Sequence, residues 1–259
     1  MQSFCYSQRL SLLGGLLYLG FSADAKDKLG YSPLHYATSK VYAPSVYLLL
    51  RWKADPDCHD DDTKWTPLHV TAENDLGEIA EVLCLHRASP NRGDAFNDKP
   101  IHYATLNGAK QVIEVLLKYD ADPDARGDQE STALHMTGDV DIADILLAHN
   151  ADIHSRDKSG NTCLHIAAYE GNEGMIRHLL DKGADPEKEN FFGDTPLDYA
   201  AMSYTYKAVE CFRILFEAAK ERLDVDHVHH TWKTIRYYIE AHDDGRAAEI
   251  IRSKLSKVA

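Results

Sequence analysis

A four-residue pattern that returns six times constrains this chain more than any other feature. The copies read SPLH at 32–35, TPLH at 66–69, KPIH at 99–102, TALH at 132–135, TCLH at 162–165 and TPLD at 195–198. Their fourth positions are separated by 34, 33, 33, 30 and 33 residues. A period of this length is typical of stacked two-helix units, each of which buries its apolar face against its neighbours.

Each copy predicts the start of a short first helix. Ser or Thr at the cap position accepts a backbone N–H, and proline at the first helical position sacrifices no hydrogen bond. Apolar pairs such as Leu49 and Leu50, 14 and 15 positions after the histidine, predict a second helix. Ala-Asp-Pro segments end that helix, and turn residues then predict a projecting finger. A small residue keeps each first helix thin: Ala37, Thr71, Ala104, Thr137, Ala167 and Ala200.

With these motifs the chain resembles the ankyrin-repeat family over roughly residues 9–222. The resemblance implies an all-α solenoid of stacked helix-turn-helix units, with projecting β-hairpin or loop fingers, that binds proteins rather than catalysing a reaction. We predict an N-terminal half repeat at 1–23 and a C-terminal helical cap or degenerate repeat at 223–259. The six repeats are predicted at 24–56, 57–90, 91–123, 124–153, 154–186 and 187–222.

The fourth repeat is three residues shorter than the others. Leu147 lies 12 residues after His135, whereas Leu180 lies 15 residues after His165. The missing residues belong to the end of the first helix or to the turn around Met136–Asp141, which predicts a notch or a kink. A tolerated deletion and a functional notch both fit the sequence, and we favour the deletion.

The N-terminal segment has two interpretations. Arg9, the apolar run 10–21 and the small residues 23–25 follow the order of a secretory signal. Alternatively, Leu12, Leu13, Leu16, Leu17 and Leu19 form the buried side of a helix that leads into the first repeat, which we favour. The alternative function is a secreted or translocated effector with residues 10–25 as its export signal.

Charge and cysteine content narrow the classes of partner and compartment. Residues 1–206 hold 18 basic and 32 acidic residues, and the whole chain has a net charge of -13. This balance disfavours nucleic acid and anionic membranes as partners. The five cysteines are scattered and odd in number, so we predict free thiols in the cytoplasm or nucleus and a monomer without cofactors.

The sequence offers no catalytic or metal-binding motif of recognised spacing. The five repeat histidines belong to the repeat, and the resemblance implies that each bonds locally and to the adjacent finger. Residues 224–230 carry metal-ligand residue types, yet neighbours in one loop rarely enclose a tetrahedral ion, so we favour a linker there. We therefore expect a non-enzymatic adaptor, scaffold or inhibitor.

The repeat places acidic and aromatic residues together on the fingers and at the ends of the first helices. We predict that they bind a basic, partly apolar protein surface in the groove of the solenoid. The alternative is that acidic fingers only keep the solenoid soluble, with Trp65 and Phe96 packed between them. Asn91 is a candidate for hydroxylation by resemblance. The predicted contact residues are Tyr31, Asp60, Asp61, Asp62, Trp65, Glu73, Asn74, Asp94, Phe96, Asp128, Glu130, Asp157, Tyr169, Glu170, Glu189, Phe191 and Phe192.

Overall fold

The computed structural model describes residues 2–203 and 207–219, with the side chains of 10–203, 207 and 210–219. Within these residues the chain forms thirteen α-helices and one short 3-10 helix, and it forms no strand. The predicted C-terminal cap at 223–259 and the acid- and histidine-rich segment 224–230 lie outside the described residues.

After α1 (Gln2–Tyr18), the helices follow one another in pairs, one pair in each predicted repeat. The first helices are α2 (Pro33–Ser39), α4 (Pro67–Glu73), α6 (Pro100–Leu106), α8 (Ala133–Met136), α10 (Cys163–Glu170) and α12 (Pro196–Met202). The second helices are α3 (Ala43–Arg51), α5 (Gly77–Leu85), α7 (Lys110–Lys118), α9 (Val140–Ala148), α11 (Glu173–Asp181) and α13 (Ala208–Ala219). The predicted all-α repeat architecture is confirmed.

The described residues form two compact units. The first comprises residues 2–128 and 144–151, and the second comprises 129–143, 152–203 and 207–219. In the first unit α2, α4 and α6 pack in series, as do α3, α5 and α7. In the second unit α10 packs against α8 and α12, and α11 packs against α13.

The core of each unit consists of aliphatic side chains from both helices of every pair. The small residues of the first helices, such as Ala104 and Ala167, are buried as predicted, which allows neighbouring helices to approach closely. The first unit buries Leu34, Leu49, Leu68, Leu83, Ile101, Ile113 and Leu116, and the second buries Leu134, Ile142, Leu164, Ile176, Leu179 and Phe212.

The repeat histidine joins the start of its own helix to the following finger. At α4, His69 Nδ1 accepts the Thr66 backbone N–H at 3.1 Å and lies 2.9 Å from Thr66 Oγ1. On the far side of the ring, His69 Nε2–H donates to the Asp98 carbonyl at 3.0 Å. The same arrangement recurs at His35, His135 and His165, and the predicted role of these histidines is confirmed.

Two repeats depart from the tetrapeptide, at Lys99 and at Asp198, and their first helices still begin in the same way. Lys99 has no hydroxyl, but its backbone N–H still donates to His102 Nδ1 at 2.8 Å. Its ammonium donates to the carbonyls of Asn97 and Arg126 at 2.7 Å each. In the sixth repeat Asp198 Oδ2 takes the place of the imidazole and accepts both the backbone N–H and the hydroxyl of Thr195.

Five of the six fingers turn around a carboxylate or amide oxygen, which belongs to an exposed residue at Asp27 and to a buried or half-buried residue in the other four. In the third finger Asp94 Oδ1 accepts the backbone N–H groups of Phe96 and Asp98, and Asp94 Oδ2 accepts the Tyr103 hydroxyl at 2.7 Å. The second finger is one residue longer, which explains the 34-residue spacing. The turn acceptors are Asp27, Asp60, Asp94, Asp157 and Asn190.

The three missing residues of the fourth repeat come from its first helix. α8 contains four residues, whereas α10 contains eight, although both begin directly after a Thr cap of the same geometry. Thr137 leaves the helix in an extended conformation with φ −97° and ψ 133°. The predicted shortening around Met136–Asp141 is confirmed, and it falls on the helix rather than on the following turn.

The N-terminal segment forms a helix, but its leucines are not buried as predicted. Leu17 is buried and α1 packs against α3. Leu12, Leu16 and Leu19 are exposed, because the unit places its next helices on one side of α1 only. None of the helices in the described residues is both long and apolar enough to cross a bilayer.

The four cysteines whose side chains the structure describes are free, as the scattered spacing predicted, and they are also buried. Burial raises the pKa of Cys58 and Cys211 to about 11 and that of Cys84 and Cys163 to about 12. These thiols are therefore protonated near neutral pH and act as small apolar core groups.

The stability of the fold should fall as pH drops from 7 to 5. Burial lowers the pKa of His35, His69 and His102 from 6.5, and lowers that of His165 to about 4. Below about pH 6.5 the unfolded chain binds protons that the folded chain excludes, so the free energy of unfolding decreases as the pH falls, by about 2 kcal/mol or more between pH 7 and 5. Urea unfolding at pH 7, 6 and 5 measures this loss. His165→Gln should be less stable at pH 7 and should lose less between pH 7 and 5. Equal unfolding free energies at both pH values would contradict the buried neutral imidazoles.

Two neighbouring aspartates should differ strongly in their effect on stability. Asp60→Ala removes the acceptor of three backbone N–H groups and of the Thr63 hydroxyl, and should cost about 2–3 kcal/mol. Asp61 is exposed and its carboxylate accepts a hydrogen bond from Lys26 at the surface, so Asp61→Ala should cost much less stability than Asp60→Ala. Thermal and urea unfolding of the two variants tests this. Equal losses would mean that the Asp60 turn does not hold the finger.

Candidate functional site

Exposed large side chains cluster at two positions of the repeat. We call the two residues after the turn acceptor the fingertip, and the residue four after the histidine the helix end. The fingertips carry Leu29, Asp61, Asp62, Phe96, Phe191 and Phe192, all of which are exposed. The helix ends are Ser39, Glu73, Leu106, Tyr169 and Met202, which are also exposed.

The third fingertip presents an aromatic side chain from a rigid turn. Phe96 is 68% exposed, and its backbone N–H donates to Asp94 Oδ1 at 2.8 Å. The preceding Ala95 N–H donates to the Thr63 carbonyl of the second finger at 2.9 Å. Because backbone bonds hold the turn from both sides, the Phe96 ring can contact a partner with little loss of backbone entropy.

The second fingertip is acidic but partly neutralised within the chain. Lys26 Nζ donates to Asp61 Oδ1 at 2.9 Å, and this bond lowers the pKa of the Asp61 carboxyl. Asp62 is exposed beside it. The predicted acidic character of this fingertip therefore rests more on Asp62 than on Asp61.

Three residues that the sequence predicted to contact a partner are buried or half-buried. Asp60 is 1% exposed and Asp94 is buried, because their carboxylates accept the backbone hydrogen bonds that close the turns of their fingers. Trp65 is half-buried, with its ring edge-to-face to Tyr103 at 4.8 Å. The Trp65 ring therefore packs against His69 and Tyr103 of the first helices rather than between two fingers, and Phe96 is exposed.

Two further predicted residues are half-buried. Tyr31 packs edge-to-face against His35 at 5.6 Å and Tyr36 at 6.1 Å. Asp157 accepts the backbone N–H groups of Ser159 and Asn161. Both residues support the base of a finger more than they offer surface to a partner.

The fourth finger differs from the rest because Gly127 occupies the position of the turn acceptor. A Cβ at Gly127 would lie 2.1 Å from Asp98 Oδ1, which accepts the Asp128 backbone N–H at 2.9 Å. The finger instead makes a turn over Asp128–Glu130, in which the Gln129 backbone is left-handed with φ 52°. Asp128 and Glu130 are exposed as predicted, and Glu130 has a left-handed backbone with φ 57°.

The helix end of α4 is polar and exposed, as predicted. Glu73 is its last residue, and Asn74 Nδ2 donates to the Val70 carbonyl at 2.9 Å. Leu106 occupies the same position on α6 and was missed, although its place four residues after His102 gave the signal. Met202 occupies the same position on α12, four residues after Asp198. Leu29 lies two residues after the turn acceptor Asp27, at the first fingertip.

The sixth fingertip, in the second unit, carries two exposed aromatic side chains. Phe191 and Phe192 are 65% and 71% exposed at the sixth fingertip. The Arg156 guanidinium lies over the Phe191 ring, 5.0 Å from its centroid, and also donates to the Glu189 carbonyl. Glu189 is half-buried beneath this fingertip.

The helix end of α10 joins an aromatic ring to a carboxylate. Tyr169 is 50% exposed and packs edge-to-face on Tyr199 at 6.2 Å. Glu170 follows it, and the surrounding protein desolvates its carboxyl enough to raise the pKa. The Ser203 hydroxyl donates to the Tyr169 carbonyl at 2.6 Å and fixes this end of the helix.

Asn91 links two consecutive repeats and is exposed. Its Oδ1 accepts the Asp122 backbone N–H, and its Nδ2 donates to the Asp120 carbonyl, both at 2.8 Å. Asp24 and Asp57 perform the acceptor half of this role at the same position of their repeats. Hydroxylation of Asn91 remains a prediction.

Metal ligands are not brought together in the part of the chain that the structure describes. No group of three or more His, Cys, Asp or Glu residues there could hold an ion. The arrangement of these units therefore offers surfaces of exposed aromatic, aliphatic and acidic side chains.

A family model of ankyrin repeats, which represents three copies, matches residues 5–94, 34–127, 88–157 and 131–227. The transient receptor potential channel pyrexia of Drosophila melanogaster is 35% identical over 117 residues, 44% of this chain and 12% of that protein. The human transient receptor potential cation channel subfamily A member 1 is 33% identical over 190 residues, 73% of this chain and 14% of that protein. Inversin of Canis lupus familiaris is 29% identical over 207 residues, 78% of this chain and 16% of that protein.

The chain thus spans less than a fifth of the length of these relatives. The likeness concerns their repeats, and the family model extends over most of the chain described above. The 33-residue period, the capped first helices and this match agree, and the chain belongs to the ankyrin-repeat family.

Proposed function

We propose that this chain is a non-enzymatic adaptor, scaffold or inhibitor that binds a basic, partly apolar protein surface through its fingertips and first helices. Ankyrin repeats generally mediate interactions between proteins. The observation that carries the proposal is the exposure of Phe96, Phe191 and Phe192 on fingers whose turns are held by side-chain and backbone hydrogen bonds.

Exposed aromatic residues on rigid turns favour binding for an energetic reason. A Phe side chain has two rotatable bonds, so burying it against a partner removes much apolar area at a small entropic cost. The turn acceptors Asp94 and Asn190 fix the backbone before the partner arrives. Such pre-organised aromatic side chains commonly dominate binding energy at protein interfaces.

Charge supplies the second part of the proposal. Asp62, Glu73 and Glu170 are exposed close to these aromatic and aliphatic positions in the repeat register. Carboxylates around an apolar contact accelerate the approach of a basic partner and reject an acidic one. A partner with Lys or Arg around an apolar patch therefore fits best.

The compartment proposed for this interaction is the cytoplasm, with the nucleus as a second location. The support is chemical: Cys58, Cys84, Cys163 and Cys211 are free thiols with raised pKa values. Free thiols are typical of proteins that work in reducing compartments.

Removing the aromatic fingertips should abolish partner capture without unfolding the chain. In a quantitative mass-spectrometry pull-down with the purified chain as bait, Phe96→Ser combined with Phe192→Ser should lose the specific proteins at least tenfold. The retained proteins should be basic, and raising the salt concentration should weaken their retention.

Leu85→Ser is the matched control, because Leu85 is 63% exposed on the second helix α5 and away from the fingertips. It should capture the same proteins as the parent chain. If the fingertip variant also captures them equally, or if the captured proteins are acidic and insensitive to salt, the proposed surface is incorrect.

A further inference from the structure

The N-terminal helix α1 exposes a position that the following repeats bury. One repeat period of 33 residues before Leu49 on α3 lies Leu16, and Leu83 holds the same position on α5. Leu49 and Leu83 are fully buried, whereas Leu16 is 38% exposed. α5 packs between α3 and α7, but the one extensive contact of α1 within the described residues is with α3. α1 therefore keeps the core register of the repeat without the neighbours that cover it.

Four residues of α1 and its C-terminal end form an exposed stripe, which we call the α1 stripe. They are spaced i, i+3, i+4 and i+7, which places them on one face of a helix. Leu19 directly follows α1 and still donates its N–H to the Gly15 carbonyl at 3.0 Å, so the helical face continues to this residue. Leu12 is 66% exposed and Leu19 is 75% exposed. Together with Ser11, the stripe lines one open groove, and its members are Leu12, Gly15, Leu16 and Leu19.

Gly15 makes a gap in the middle of the α1 stripe. A Cβ built on Gly15 would meet no atom within 4 Å, whereas one built on Gly14 would lie 3.8 Å from Leu48 Cδ2. No close approach within the described part of the unit therefore requires glycine at position 15. Glycine inside a helix lowers its stability relative to alanine. A side chain from outside the unit that enters the gap would give Gly15 a role.

Charge favours a second copy of the chain as the occupant of this face. The α1 stripe lies in residues 10–23, the longest stretch of the sequence without Asp, Glu, Lys or Arg, although the whole chain has a net charge of -13. Two acidic chains repel each other, so they approach most closely where neither carries a charge. A charged partner would gain no ion pair from the stripe. Its complement is an uncharged apolar helix such as α1 itself.

The order of residues along the α1 stripe is also self-complementary. In an antiparallel pair of α1 helices, a two-fold axis between Gly15 and Leu16 brings each residue opposite its counterpart on the other copy. Leu12 then faces Leu19 of the other copy, and Leu16 enters the gap at Gly15 of the other copy. The symmetry repeats both contacts, so the leucines interdigitate on both sides of the axis.

We propose that this chain forms an antiparallel two-fold homodimer through the α1 stripe. The second copy supplies α1 with the apolar neighbour that interior second helices receive from adjacent repeats. A dimer differs from the monomer expected from the sequence, where the leucines of α1 are predicted to be buried within the chain. The inference goes beyond the proposed function, because it uses neither the fingertips nor a basic partner.

Sedimentation velocity of the full chain between about 1 and 500 μM tests the dimer. The parent chain should dimerise with a micromolar dissociation constant, because the interface is small. Leu12→Glu should weaken dimerisation at least tenfold, since it places a carboxylate against Leu19. Leu85→Glu is the matched control, because Leu85 is 63% exposed on α5, and it should dimerise like the parent.

Salt separates dimerisation from capture of a basic protein. Screening reduces the repulsion between two acidic chains, so raising the salt concentration should strengthen the dimer. The same change should weaken retention of a basic partner at the fingertips. A dimer that salt dissociates would mean that ion pairs hold the two copies together, which would overturn the uncharged interface.

Two further variants test the geometry of the pair. Gly15→Leu should keep its helical circular dichroism, because the added side chain enters open space and leucine favours helix, yet it should weaken dimerisation at least tenfold by filling the gap. Leu12→Glu combined with Leu19→Lys should restore dimerisation, because antiparallel helices place the two introduced charges opposite each other. Stronger association of Gly15→Leu would indicate unspecific apolar contact and would overturn the proposal, as would failure of the double variant to dimerise.

The dimer and the proposed function can fail independently. Phe96→Ser combined with Phe192→Ser should dimerise like the parent chain, and Leu12→Glu should still capture the basic proteins. A parent chain that stays monomeric up to about 500 μM would overturn the dimer and leave the proposed function standing. If that monomer also loses a captured protein on Leu12→Glu, the α1 stripe binds a different protein and not a second copy.

Discussion

The first five repeats each depend on one neutral imidazole that forms hydrogen bonds on both sides of its ring. Nδ1 accepts the N–H at the start of its own helix, and Nε2–H donates to a carbonyl at the base of the following finger, as His69 does between Thr66 and Asp98. The ring must remain neutral to do both, and burial lowers its pKa accordingly. Helix starts and fingers are thereby coupled, and acid weakens several repeats together.

Five of the six fingers depend in turn on a side-chain oxygen that accepts the hydrogen bonds of the turn. Asp94 organises the third finger and also receives the Tyr103 hydroxyl nine residues later, so the finger is tied to the first helix of its own repeat. This explains why neighbouring acidic residues of similar appearance have different roles. Asp60 is buried and accepts the hydrogen bonds of its turn, whereas Asp61 and Asp62 next to it are exposed. The surface offered to a partner therefore consists of the finger residues whose side chains do not accept the hydrogen bonds of the turns.

The shortened fourth repeat shows how a stacked fold tolerates a local loss. The start of α8 keeps the Thr132 and His135 geometry of its neighbours, and only the helix end is removed. Asn172 of the next repeat donates its Nδ2–H to the Gly138 carbonyl, so the segment after the shortened helix stays bonded to its neighbour. Deletion of three residues thus changes the surface of the second unit and leaves its core intact.

The sequence alone determined the repeat period, the helix pairs and the role of the histidines, because these depend on contacts within one repeat or between adjacent repeats of known offset. It also located the missing residues near Met136, although not whether they came from the helix or the turn. Only the tertiary structure decided which acidic and aromatic residues are exposed. Asp60, Asp94 and Trp65 share residue types with Asp62 and Phe96, and their burial depends on donors and rings such as Tyr103 that packing brings close. The leucines of α1 show the same limit, since their apolar character predicted burial and the unit covers only Leu17 and part of that helix.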